Sequence, residues 1–365
     1  RIKAADMIDS YNFEDRKLVE IVKATYFNPK IVVIDETTTA LSQEGREELY
    51  KHMERIRKSG NTVIFISHDL PEIIEKSDTI TILRDGVYID TVKSKDVNEN
   101  DLKKLMVGRE VTGDYYRSDY GEKISDEVVL SAKHVTVPGL IEDVSFDLHK
   151  GEILGFGGLS ESGMHEIGKA IFGASYDREG TVELADGTQI NDIPTAIKHS
   201  IAYTSKDRDN ESVVLNQSIG DNICLPSLDE LSGPAHLISD KKKKDFANKF
   251  AKQMSVKMVD VNQFVSNLSG GNKQKVVLAR WIGKDSDIVV LDSPTRGIDI
   301  KVKQDIYQLM NQMRKNGKSI IMISEELMEL IGMCDRIMIM KDGKISGELE
   351  RDQNLDENGL ITMMV

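Results

Sequence analysis

Residues 31–41, IVVIDETTTAL, return at 288–298 as IVVLDSPTRGI, and the separation between the copies never changes. Asp35 answers to Asp292, His68 to Glu325 and Gly86 to Gly343, each 257 residues later. GNTVIFISHDL (60–70) matches GKSIIMISEEL (317–327), and DTITILRDG (78–86) matches DRIMIMKDG (335–343). A fixed spacing with no insertion means two copies of one structural unit, a tighter constraint on the fold than any local propensity. The copies disagree where chemistry is carried. Glu36 faces Ser293 and His68 faces Glu325, so one copy holds acid–base side chains that the other lacks.

IVVID (31–35) and TVIFIS (62–67) are short, β-branched and almost wholly apolar, which predicts parallel strands buried on both faces. Residues 43–58, QEGREELYKHMERIRK, read as an amphipathic helix between them and complete a βαβ unit. The second copy repeats this with IVVLD, KVKQDIYQLMNQMRK and SIIMIS. A polar stretch at 112–126 is expected to link a first domain, 1–111, to a second, 127–365. Alternation over 127–155 predicts antiparallel strands running into a glycine-rich turn at 158–165. Shifted back by the repeat, that turn falls before residue 1, so the first copy is expected to be truncated at its N-terminus. Its sheet would then lack neighbouring strands, an aggregation-prone state.

Hydrophobic content of 39% with 30% charged residues fits a soluble globular chain, and no apolar run reaches the ~20 residues of a membrane-spanning helix. RIKAADMIDS has no apolar core of a signal peptide. A net charge of −13 argues against a nucleic-acid grip, which needs clustered Lys and Arg. The one basic run, Lys241 to Lys244, reads as the solvated start of a helix. Cys224 and Cys334 have no CxxC spacing, which speaks against a zinc or disulfide framework and suits a reducing cytosol.

NLSGGNKQKVVLARWI (267–282) is the most specific short motif. A serine and two glycines open a helix, so backbone N–H groups and the helix dipole face an incoming anion with no side chain in the way. Followed by an apolar strand ending in Asp292, it resembles the signature of ATP-binding-cassette (ABC) ATPases. The resemblance covers nearly the whole chain. It is narrowest to the fused double-cassette ATPases of bacterial sugar importers of the ribose, galactose and xylose type, whose second cassette LSGGNKQKVVLARWI and LDSPTRGID are especially like. The implied fold class is α/β: P-loop NTPase-like cassettes with a parallel core sheet and flanking helices. An antiparallel β subdomain and a helical subdomain would be added in the second cassette.

Through that resemblance, IVVIDE is the Walker B strand. Asp35 would hold Mg²⁺ through water, Glu36 would polarise the attacking water, and His68 would contact the γ-phosphate. Thr37 stands where proline is usual and Ser42 where the second copy has Asp299. The second copy's nucleotide loop is GLSESGMH, with Gly158, Ser160, Ser162 and Gly163 as implied nucleotide contacts. Met164 stands where a lysine should reach the phosphates, and His165 where a Ser or Thr should bind Mg²⁺. No Mg²⁺-sensing glutamine is visible in YTSKDRDNESVVL (203–215). The first copy's signature is damaged too: LSGGNKQ maps onto YNFEDRK (11–17), putting Asn12, Phe13, Glu14 and Asp15 into the anion cradle. Like charges at ~4 Å cost ~1 kcal/mol in water and more when desolvated.

Cassettes of this family pair head to tail, so the substitutions sort by site. One composite site would join Asp35, Glu36 and His68 to Ser269, Gly270, Gly271 and Gln274. The other would join Met164, His165, Asp292, Ser293 and Glu325 to the damaged signature and be degenerate. The resemblance implies ATP and Mg²⁺ as cofactors, with two membrane permease subunits and an extracytoplasmic solute-binding protein as partners. It implies no nucleic acid, no direct contact with the solute, and a peripheral place on the cytoplasmic side of the cell membrane. Permease docking would use the helical segment near 205–262. The truncated chain alone would not hydrolyse ATP. Three alternatives stand: a nucleoside importer ATPase, a non-transport ABC ATPase of translation or repair, and an inactive truncated remnant. Against the second, only some 15 polar residues join the halves, where translation types use a long charged helix.

Overall fold

The computed structural model describes every residue except 1, 2, 12, 28, 36, 39, 40, 42, 68, 85, 86, 108–114, 121, 122, 160, 234–236, 299, 353, 354 and 365. Glu36, His68 and Ser160 therefore lie outside the described residues, as do Asn12, Ser42 and Asp299. Contacts divide the chain into two units, one of residues 1–113 with 299–301 and one of 114–298 with 302–365. The division falls inside the stretch expected to be a linker.

The repeat is borne out element by element. In the first unit the helix Phe13–Thr25 leads to β1 (Ile31–Asp35), the helix Gln43–Lys58, β2 (Thr62–Ile66) and the helix Leu70–Lys76. The antiparallel hairpin β3 (Thr79–Arg84) and β4 (Val87–Lys93) and the helix Glu99–Val107 follow. Each of these elements begins 257 residues, or for the last helix 258, before its twin in the second unit. The helix expected at 43–58 has those bounds. Its apolar face carries Leu49, fully buried, and Met53 onto Val32 and Ile34 of β1.

Burial on both faces of the strands fails in the first unit. β1 and β2 pair in parallel, Ile31 beside Thr62 through Asp35 beside Ile66, as a two-stranded sheet. Only alternate residues of β1 are covered: Val32 and Ile34 are buried, while Ile31 is 60% and Val33 58% exposed. Ile64 and Ile66 on β2 share that open face. The apolar run gave the strands correctly, but what covers a strand's second face depends on layers that the run does not encode.

The second unit contains β5 (Val128–Val137), β6 (Ile141–His149), β7 (Ile153–Gly158), β8 (Glu179–Leu184) and β9 (Ile201–Thr204). They are followed by β10 (Ile288–Asp292), β11 (Ser319–Ile323), β12 (Arg336–Lys341) and β13 (Lys344–Glu350). Among the described residues six strands form one sheet in the order β13-β12-β7-β11-β10-β9, parallel except for β13. Here β10 and β11 are buried at every residue, as their sequences predict, and so is β7. A three-stranded antiparallel sheet, β6-β5-β8, takes β5 and β6 from the alternating stretch 127–155. Residues 153–155, also expected to be antiparallel, belong instead to β7, which pairs in parallel with β11 and β12, and β8 comes from beyond the stretch. A helical group, Ile219–Cys224 and Asp240–Gln253, packs on the helix Gly270–Lys284, and the Lys241–Lys244 run does open the second of these.

Residues 115–120 are tied into this unit. Arg117, its side chain 1% exposed, donates to Asp335 Oδ1 (2.7 Å), Asp119 Oδ2 (2.8 Å) and the Met333 carbonyl (2.8 Å). The rings of Tyr115 and Tyr116 meet Tyr307. A buried guanidinium held by two carboxylates is anchored, since removing a partner would leave an uncompensated charge.

Candidate nucleotide site

β7 ends in the glycine turn that leads into the helix Met164–Ile171, the strand–loop–helix order that phosphate loops require. Two of the glycines are forced by space. A Cβ at Gly158 would lie 2.2 Å from Ser162 Oγ, and one at Gly163 would lie 2.5 Å from the Leu140 carbonyl. Gly163 also holds the left-handed φ of 89° that caps the helix. Ser162 is buried, and its hydroxyl has no hydrogen-bond partner among the described residues. Met164 is fully buried, so its thioether is core and not part of the loop's lining.

His165, the next residue, is the centre of a charged cluster. Its Nδ1 donates to Asp292 Oδ1 at 2.7 Å, and its Nε2 lies 3.3 Å from Glu325 Oε1. Lys206 Nζ is 3.0 Å from the same Nε2 and donates to Glu325 Oε1 at 2.6 Å. Asp292 stands at the end of β10 beside Ile323 of β11, which is how residues far apart in sequence converge. Ser293 follows in a left-handed conformation, φ 49°, with its hydroxyl 3.2 Å from Asp292 Oδ1. The structure thus brings together His165, Asp292, Ser293 and Glu325. It adds Lys206, which reasoning from the loop alone misses because the lysine sits 41 residues beyond His165.

Burial opposes charge on the His165 imidazole, but the hydrogen bonds to Asp292 and Glu325 outweigh it and raise its pKa above the ordinary 6.5. A raised folded-state pKa stabilises the fold fully below the unfolded value, and this contribution is lost as pH rises through the folded value. The stability gap between wild type and His165→Gln, from urea unfolding, should therefore be widest below the ordinary histidine value of about 6.5 and shrink as pH rises above it. A gap that grew with pH would refute the charged state.

The helix Gly270–Lys284 starts at Ser269, whose hydroxyl accepts from Asn272 Nδ2 at 2.9 Å. The Arg208 guanidinium lies over this start, with Nη2 3.1 Å from where a Gly270 Cβ would be, and Gln274 is buried one turn on. In the first unit Asp35 is exposed at the end of β1, and Asp15 is buried on the helix Phe13–Thr25.

Behind both strand ends lies a feature the sequence reading did not find. In the first unit Glu72 accepts from Thr38 Oγ1 (3.0 Å), Ser67 Oγ (2.7 Å) and the Tyr50 hydroxyl. In the second, Glu329 accepts from Thr295 Oγ1, Tyr307 Oη (2.5 Å) and Ser324 Oγ (2.8 Å), with Lys303 Nζ at 3.6 Å. All four residues recur at the repeat spacing, so the signal was present in the sequence. Burial and the neighbouring carboxylate push both tyrosine hydroxyls well above the ordinary value of 10.

Residues 141–296 match a family model described as ABC transporter. The ribose import ATP-binding protein RbsA of Lactococcus lactis is 40% identical over 352 residues, covering 96% of this chain and 70% of that protein. The chain belongs to the ABC transporter family. The xylose import ATP-binding protein XylG of Thermoanaerobacter pseudethanolicus is 42% identical over 350 residues, 93% of this chain and 68% of that protein. Among solved structures, a dimeric ATP-binding cassette in a post-hydrolysis state with ADP and Pi superposes with a TM-score of 0.54 at 21% identity. It covers 61% of this chain and 99% of that one. A nucleotide-free cassette from an ABC transporter gives 0.55 at 18% identity. At that identity the likeness shows the fold alone, and it is the α/β cassette fold that the signature implied. As an ABC protein the chain is a nucleotide-binding ATPase, and none of its described helices is long and apolar enough to cross a membrane.

Proposed function

We propose that this ABC ATPase energises the import of a monosaccharide or a related small polar solute, with one competent and one degenerate ATP site. The observation that carries the reading is the acid–base asymmetry between two copies of one frame: Glu36 and His68 in the first, Ser293 and Glu325 in the second. Relatives named for ribose and xylose import support the solute class.

In the competent site Glu36 takes the role of general base, polarising the attacking water, and His68 contacts the γ-phosphate. Asp35, exposed at a strand end with oxygen ligands to offer, would hold Mg²⁺ through water. When bound, that ion neutralises charge developing on the phosphate oxygens. Ser269, Gly270, Gly271 and Gln274 present the helix start of the second unit as the anion cradle, backbone N–H groups foremost. Two membrane permease subunits and an extracytoplasmic solute-binding protein are the partners of this reading, with the ATPase on the cytoplasmic face. The segment near 205–262 serves as the permease contact. The solute itself never touches the ATPase.

Proteoliposomes with the full-length protein, its permease pair and the binding protein test it. ATP-dependent uptake of ribose, xylose or galactose supports the import of a monosaccharide. Uptake of nucleosides alone would replace the solute class, and ATP turnover without any uptake would sink the transport reading.

A further inference from the structure

We propose that the nucleotide loop of the second unit takes a polyphosphate chain without a divalent cation, its counter-charge supplied by Lys206 and His165. The inference rests on the reading of 158–165 as a nucleotide loop and goes beyond it by naming the ionic form of the ligand.

Mg²⁺ does not fit this site. It demands near-octahedral oxygen ligands at about 2.0–2.1 Å and keeps several of its waters. Here an imidazole nitrogen already holds Asp292 Oδ1 at 2.7 Å, and an ammonium group stands 3.0 Å from the other ring nitrogen. An entering divalent cation would face nitrogen donors and the positive Lys206 where a hydroxyl and water should be. His165 and Lys206 stand against the two carboxylates, Asp292 and Glu325, so a divalent cation reaching Asp292 Oδ2, the buried oxygen left without a partner among the described residues, would enter beside two nitrogen groups.

The anion-binding parts of the loop remain. Gly158, crowded by Ser162 and the Met340 carbonyl, and the left-handed Gly163 stand at the two ends of the turn, and the eight-residue helix Met164–Ile171 follows with its N-terminus at the loop. Ser162, buried to 4% exposure, carries a hydroxyl without a partner that lies over Gly158 inside the turn. An orphaned buried donor of this kind calls for a ligand acceptor. The cation lost at Met164 returns in space through Lys206, whose three rotatable donors suit phosphate. Lys206 is a quarter exposed and Glu325 more so, so the cluster opens to solvent on that side. Glu325 acts as the competing anion, holding Lys206 until phosphate displaces it.

Equilibrium dialysis of the 365-residue chain with radiolabelled ATP, in magnesium and in excess EDTA, tests this directly. Binding in EDTA within about threefold of that in magnesium is expected. Lys206→Ala should weaken the EDTA value at least tenfold with an unchanged thermal melt, Lys206→Arg should restore most of it, and Glu325→Gln should tighten it. Inorganic tripolyphosphate should displace the ATP, because the phosphate chain carries the recognition. No binding in EDTA, indifference to Lys206→Ala, or failure of tripolyphosphate to compete would each overturn the inference. None of these outcomes touches the first-unit chemistry, which is tested separately through Glu36.

Discussion

Replacing Glu36 by Gln in the full-length protein is expected to lower ATP turnover by about 10²–10⁴-fold, the usual cost of losing a general base. The amide keeps the shape and can still orient water, but it cannot accept a proton at neutral pH. Ser293→Ala, at the twin position, is expected to leave turnover near the wild-type value. Ser293 offers a hydroxyl bonded to Asp292 and no carboxylate, on a backbone turned left-handed at φ 49°. Steady-state phosphate release from the two variants decides the matter. Equal losses would end the one-site reading, because two symmetric sites would then share the work.

Glu329→Ala is expected to destabilise the second unit by about 3–5 kcal/mol, seen as a shift in its denaturant midpoint. Glu329 is 1% exposed and accepts from three hydroxyls, with a buried lysine 3.6 Å away. Truncation leaves those donors unpaired and the Lys303 charge with less compensation, which costs far more than the net worth of any one bond. Tyr307→Phe removes a single donor and should cost only about 1 kcal/mol. If Glu329→Ala cost no more than Tyr307→Phe, the carboxylate would be no hub. The twin variant, Glu72→Ala, should disturb the strand ends that carry Asp35 and Ser67 in the same way.

The strands and the helix at 43–58 were legible because each rests on short-range pattern, the repeat because its spacing is constant, and the cassette fold only through the family resemblance carried by LSGGNKQKVVLARWI. Apolar runs give strands, 3.6-residue spacing gives the helix, and the 257-residue match gives the second copy. Three things were not legible from pattern alone. The Lys206–His165 contact spans 41 residues and exists only because β9 and the glycine turn open towards the same side. The Glu72 and Glu329 hubs join residues 5 to 34 positions apart, and no periodicity links a threonine, a tyrosine and a serine to one carboxylate. They were nevertheless readable by comparing the copies for identity as well as for difference. The third was the open face of β1, since IVVID and IVVLD are nearly the same run yet only the second is covered on both sides.

That uncovered face has a practical outcome. Ile31, Val33, Ile64 and Ile66 lie on neighbouring strands as one water-facing aliphatic ribbon. A surface of this kind lowers the protein concentration at which molecules begin to stick to each other, and it lights up polarity-sensitive dyes in the folded state. Dye fluorescence from this chain therefore reports the ribbon as well as any loosening of the core, and the two must be separated before a melting curve is interpreted.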